Sequence, residues 1–226
     1  MRVLVACERS GVVRSAFLAV GCEAWSCDLA PAEDDGPHLT GDVREFLDAG
    51  WDLLIAHPPC THLSVSGARW FPEKRDAQAE ALAFVLVLMG AAVPRIAVEN
   101  PVSIISTEIR PPDQIIQPWQ FGHSESKTTC LWLKGLPELQ PTHLLGRPDT
   151  GKLYWNNQTP SRQNKLGPSP TRGQQRARTY QGIAEAMAAQ WGSLVTNDRT
   201  TTRMGSRSTT DAPRMCYPDS QMRLWT

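Results

Sequence analysis

The chain of 226 residues carries 23 Lys and Arg against 23 Asp and Glu, and 41% of it is hydrophobic, an ordinary balance for a globular protein with one well-filled core. No apolar run approaches the roughly 18 residues of a membrane span, and the N-terminal "MRVLVACERSG" meets charge at Glu8 too early for a signal peptide, so no membrane association and a cytoplasmic location are expected. Charge is unevenly spread: residues 1–146 hold 11 Lys and Arg against 18 Asp and Glu, whereas 147–178 hold 7 against 1.

In chain order, "RVLVAC" (2–7) predicts a strand, "ERSG" a tight loop, and 12–20 a helix. "EAWSCD" (23–28) predicts a second strand ending in an acid, followed by the turn-rich "PAEDDGPH" and by Asp42 just after a glycine. "WDLLIAH" (51–57) and "RIAVEN" (95–100) read as strands flanking a helix over about 73–92, and "TTCLWLK" (128–134) as a further strand, a candidate for antiparallel pairing. Strands alternating with helices predict an α/β fold, a Rossmann-like parallel sheet with helices on both faces. The Pro-, Gly- and Arg-rich stretch 147–178 reads as a loop, 180–192 as an amphipathic helix, and the Ser/Thr/Arg-rich 197–226 as a disordered tail.

Ligands of such sheets bind beyond the carboxyl ends of the strands, which gathers the unusual residues on one rim. Cys7, Glu8, Ser10 and Gly11 follow the first strand, Asp28 ends the second, Pro58, Pro59 and Cys60 follow the fourth, and Glu99 and Asn100 end the fifth. Asp28 stands where a ribose hydroxyl pair is commonly held, or is a plain surface acid. The first loop lacks GxGxxG, so pyrophosphate has no cradle, and an adenosine-bearing ligand without phosphates, S-adenosylmethionine, suits it better. Cys60 is a packing cysteine, an aimed nucleophile behind a stiff Pro-Pro, or a metal ligand with His57 and His62. Six cysteines without a CxxC pair (Cys7, Cys22, Cys27, Cys60, Cys130, Cys216) predict free thiols. Glu99, at the end of a buried strand, is expected to have its pKa raised and to stay protonated.

"HPPC" after one strand and "VEN" after the next, with "GD" before them and an acid after strand two, resemble the motifs of DNA (cytosine-5) methyltransferases. "RVLVACERSGVVRSAF", "IAHPPCTHLSVSG", "IAVENP", "IIQPWQFG" and "KTTCLWLKGLP" are similar to a compact phage-type branch of that family. The resemblance covers residues 1–192 and implies a catalytic domain over 1–196 with 147–178 replacing a target-recognition domain. It implies that Cys60 adds to carbon 6 of cytosine, Glu99 protonates ring nitrogen 3, Asn100 holds the loop and Lys127 meets the base oxygen. S-adenosylmethionine would lie against Ala6, Cys7, Gly11, Asp28, Asp42, Pro58 and Gly182. The basic segment, with Tyr154, Trp155, Arg162, Lys165 and Arg172, is the expected nucleic-acid contact, together with Ser64 in the loop after Cys60. The partner is duplex or single-stranded DNA, or alternatively a free cytidine nucleotide; the oligomeric state is open. Glu8 stands where the family has glycine, and the family's arginine pair is replaced. The rival classes are a non-catalytic nucleic-acid-binding relative, which the presence of both Cys60 and Glu99 opposes, and an NAD-type oxidoreductase, which the missing glycine fingerprint opposes.

Overall fold

The computed structural model describes residues 1–65, 75–146, 154–167, 169 and 172–195. Gly67 and Trp70 after the Cys60 loop, residues 147–153 of the basic segment, Cys216 and the 197–226 tail lie outside the described residues.

Among the described residues seven strands form one sheet: β1 (Arg2–Ala6), β2 (Glu23–Asp28), β3 (His38–Thr40), β4 (Leu53–Ala56), β5 (Arg95–Pro101), β6 (Gln114–Ile116) and β7 (Thr129–Lys134). Their order is β3-β2-β1-β4-β5-β7-β6. The pairs among β1 to β5 are parallel, while β7 runs antiparallel to both β5 and β6. This is the expected Rossmann-like α/β sheet, with the expected antiparallel strand. The central strands read as continuous apolar runs because both of their faces are covered. Val3, Val5, Leu53 and Ile55 pack against α1 (Val12–Ala19) and a C-terminal helix through Phe17, Met187 and Trp191. Leu4, Leu54, Ile96 and Trp132 turn the other way, toward α2 (Arg75–Gly90) and α3 (Ile105–Glu108), through Leu88 and Ile105. Each such fully buried side chain contributes about 1.5–3 kcal/mol of transfer free energy.

Two strands were not anticipated. β3 begins at His38, the last residue of the stretch read as turn-rich, and β6 precedes the "QPWQFG" stretch; each has three residues and exists through pairing to a longer neighbour. Within the stretch read as a loop, α4 (Arg172–Ala177) is helical, which corrects that reading for its last residues. The C-terminal helix α5 (Gln181–Gly192) follows its expected bounds.

Candidate active site

The chain leaves β1 toward β2 and β3, then returns to the opposite side of β1 with β4, so the order reverses between β1 and β4. A crevice beyond the carboxyl ends is expected at such a reversal. Cys7 emerges there from β1 and His57 from β4, whose backbone N–H donates to the Ala6 carbonyl at 3.0 Å. Because β7 is antiparallel to β5, its N-terminal end, with Lys127 just before it, comes to the same edge: Thr129 pairs with Pro101.

The loop after β4 is fixed at both ends. Buried Asn100 donates its side-chain amide to the Pro58 carbonyl at 2.8 Å. Beyond Cys60, Leu63 and Ser64 donate backbone N–H groups to the Cys60 carbonyl, and Ile104 donates to that of Leu63. Ser64 also bridges Ser103. Pro58 is buried while Pro59 and Cys60 are exposed, and among the described cysteines Cys60 is the only exposed one. Its thiol is therefore carried outward on a loop whose backbone is held inward. The packing alternative for Cys60 is set aside by this exposure.

Glu99 is buried, and its Oε2 lies 3.0 Å from His57 Nδ1. Burial pushes its carboxyl up, but the His57 hydrogen bond, the Lys127 charge and the imidazole outweigh that and hold it below the ordinary carboxylate value. This corrects the expectation that burial keeps Glu99 protonated: strand-end desolvation acts, and two neighbours from other elements, His57 and Lys127, overcome it. A depressed carboxylate stabilises the fold above its ordinary value of 4.5 and loses that contribution as pH falls. Glu99→Gln is accordingly expected to be about 1–3 kcal/mol less stable than the wild type above pH 5. The gap should narrow as pH falls below 4.5, measured by urea unfolding across a pH series.

The first loop holds Cys7 in the left-handed region (φ 58) and its thiol is pushed up to about 12, by burial, then by Asp28, Cys27 and Asp42. The fields of both candidate cofactor acids thus meet at Cys7. Asp28 accepts the Ala30 backbone N–H at 3.0 Å. Asp42 caps the 3₁₀ turn Val43–Glu45 and pairs with Arg44, whose bond holds its carboxyl down at about 2. Glu8 is buried, with its carboxylate on the backbone N–H groups of Val13 (2.7 Å) and Arg14 (3.1 Å) at the start of α1. A side-chain carbon on Gly11 would lie 2.2 Å from the buried Arg14 guanidinium, which reaches across to Ser26 and Asp34.

The basic segment is docked rather than free where it is described. Asn157 exchanges hydrogen bonds with the Ser126 backbone at 3.1 and 2.8 Å, next to Lys127. Trp155 stacks on Trp119 with centroids 5.9 Å apart and planes 5° from parallel. Tyr180, at the head of α5, lies under the Lys127 ammonium at 6.0 Å and bonds to both Glu125 and Asn157. Arg162 and Lys165 are exposed; Tyr154 and Arg172 are half-buried.

No protein-family model matches the sequence, and no curated protein matches it. Solved structures do. The Dnmt2 methyltransferase of S. pombe matches over 61% of this chain and 50% of its own, with 18% identity and a TM-score of 0.43. A putative DNA modification methyltransferase encoded within an E. coli prophage matches over 66% of this chain and 56% of its own, with 13% identity and a TM-score of 0.42. The chain thus spans about half the length of these structures. No helix among the described residues is long and apolar enough to cross a membrane.

The sheet brings Cys60, Glu99, Asn100 and Lys127 to one edge, and Ala6, Cys7, Asp28 and Asp42 to the adjoining part of it. Gly182 is instead enclosed by Phe121 and His123, with its N–H donating to His123 Nε2 at 2.9 Å. Sequence reasoning missed His57 as the partner of Glu99 and took it only as a possible metal ligand. Among the described residues no group of three His, Cys, Asp or Glu is placed to hold a metal.

Proposed function

We propose that the chain transfers a methyl group from S-adenosylmethionine to carbon 5 of cytosine in DNA, through a covalent adduct on Cys60. The observation that carries this reading is the Asn100 to Pro58 hydrogen bond. It ties the loop bearing an exposed thiol to the strand end bearing a buried carboxylate, the two groups that addition across a cytosine ring requires. Cys60 adds to carbon 6, Glu99 gives a proton to ring nitrogen 3, and Lys127 meets the base oxygen. Carbon 5, now enamine-like, becomes nucleophilic enough for methylation. Loss of its proton then expels the Cys60 sulfur.

The first loop favours a cofactor without phosphates. The α1 N–H groups that would bind a pyrophosphate already hold the Glu8 carboxylate. Asp28 is assigned to the ribose and Asp42 to the adenine amino group, with Ala6, Cys7, Gly11 and Pro58 along the remainder. When bound, S-adenosylmethionine supplies the methyl group from an activated sulfonium. Tyr154, Arg162, Lys165 and Arg172, with Trp155 and Ser64, are assigned to the nucleic acid. Their support is the anchoring of that segment beside Lys127 through Asn157. A duplex target has to be flipped out to reach Cys60.

The test is transfer of labelled methyl from S-adenosylmethionine to duplex DNA, single-stranded DNA and dCMP in parallel, with the product identified by mass spectrometry. Label recovered as 5-methylcytosine in either DNA is the expected result. Label on dCMP alone transfers the chemistry to a free nucleotide. No transfer to any of the three, with the cofactor bound, sinks the enzymatic reading.

A further inference from the structure

Proton addition to ring nitrogen 3 needs a donor, and the resting Glu99 is held as an anion. The titratable groups at this end of the sheet differ in what they can give. Cys7, at the end of β1, and Cys130 of β7 are both pushed up, the first to about 12, by burial and by neighbouring carboxylates. Tyr180, from the head of α5, is pushed up by burial and by Glu125. In all three the shift holds the proton more tightly than is usual for the group. Lys127, from the segment before β7, lies over the Tyr180 ring, and no direct bond from it to Glu99 is seen. His57 has that contact, through Nδ1 at 3.0 Å, with the two side chains only 9% and 11% exposed. Imidazole is the side chain whose charge ordinarily changes between about pH 5 and 8.

We infer that His57 is a positioning residue that stores, as imidazolium, the proton Glu99 delivers to the target base. The inference rests on the proposed function and adds the source of the proton. As the bond from Cys60 sulfur to carbon 6 forms, the carbon 5–carbon 6 π electrons move into the ring. Nitrogen 3 takes a proton through Glu99, and His57 Nδ1 releases one to the carboxylate. When carbon 5 gives its proton to a water molecule and the sulfur–carbon bond breaks with its electron pair leaving on the Cys60 thiolate, the nitrogen 3 proton returns along the same path, so the pair ends as it began. In the resting state the imidazolium offsets the buried Glu99 charge across the 3.0 Å contact.

The test compares the full chain with His57→Gln, whose amide still offers Glu99 a hydrogen bond but cannot carry the proton. Expected are a kcat lower by roughly 10²–10⁴ with KM for DNA unchanged, and loss of the decline in wild-type kcat as pH rises through the imidazole range. Wild-type kcat and pH profile in His57→Gln overturn the inference. A second readout is independent of turnover: ¹⁵N NMR of the histidine ring in the resting chain, assigned by comparison with His57→Gln. Both ring nitrogens protonated near neutrality, with that state shifted to lower pH in Glu99→Gln, is expected. A neutral ring, protonated on one nitrogen only, overturns the inference even if the enzyme is active. If the wild type methylates nothing, the proposed function fails by itself, and the NMR result still decides whether the pair holds the proton.

Discussion

Replacing Cys60 with alanine is expected to lower methyl transfer by roughly four orders of magnitude or more, as removal of a covalent nucleophile does when other groups of the site remain. The same change should alter unfolding free energy by less than about 0.5 kcal/mol, since it removes an exposed side chain that contributes nothing to either apolar core. The contrast makes the experiment informative. Cys7, Cys22, Cys27 and Cys130 are buried or half-buried, so alanine at Cys27, wholly enclosed beside Leu4 and Ala6, trades activity for stability in the reverse sense. Methyl transfer with product identification measures the first effect and urea unfolding the second. A Cys60→Ala chain that still transfers methyl at more than a hundredth of the wild-type rate rules out the adduct. Cys60→Ser should behave like alanine, because a serine hydroxyl, far less acidic than a thiol, is a weak nucleophile.

The rim of the crevice was legible because it follows from strand order. "EAWSCD" coincides with β2 at Glu23–Asp28, a short segment set between the first helix and a turn-rich stretch in an alternating strand and helix pattern. The parallel register then places Asp28, Cys7 and His57 on one edge without side-chain information. β3 was not legible: His38, Leu39 and Thr40 are too few to show a period, and they become a strand only against Ser26, Cys27 and Asp28. The charge on Glu99 was not legible for another reason. A carboxylate at the end of "IAV" announces desolvation, whereas the groups that reverse its effect arrive from His57 and Lys127, distant in sequence. Glu8 gives an intermediate case. Its departure from glycine was visible, while its role as an acceptor for the first turn of α1 needed the loop to fold back on Val13 and Arg14.

Gly182→Ala separates two explanations for that glycine, which resemblance assigned to the cofactor and the fold places in a packing contact. A side-chain carbon there would lie 2.0 Å from the Phe121 carbonyl oxygen and 3.1 Å from His123 Nε2. The first obstacle is backbone and cannot rotate away. Phe121 is itself buried in the core shared by α1 and α5, so relief requires α5 to move outward, opening the contacts of Ile183, Ala184 and Met187 with the sheet. It also stretches the bond from the Gly182 N–H to His123, whose ring is tilted against Tyr180 at 5.1 Å. Overpacking of this kind costs typically 1–3 kcal/mol and occasionally more, and the immovable partner puts the expected loss at about 3 kcal/mol. The urea midpoint should fall with the slope unchanged. Because Tyr180 lies beneath Lys127 and bonds to Asn157, the same displacement should loosen the 154–167 segment and raise KM for DNA. Stability equal to the wild type, with only cofactor affinity reduced, returns Gly182 to the cofactor and removes α5 as the element that holds Lys127 in place.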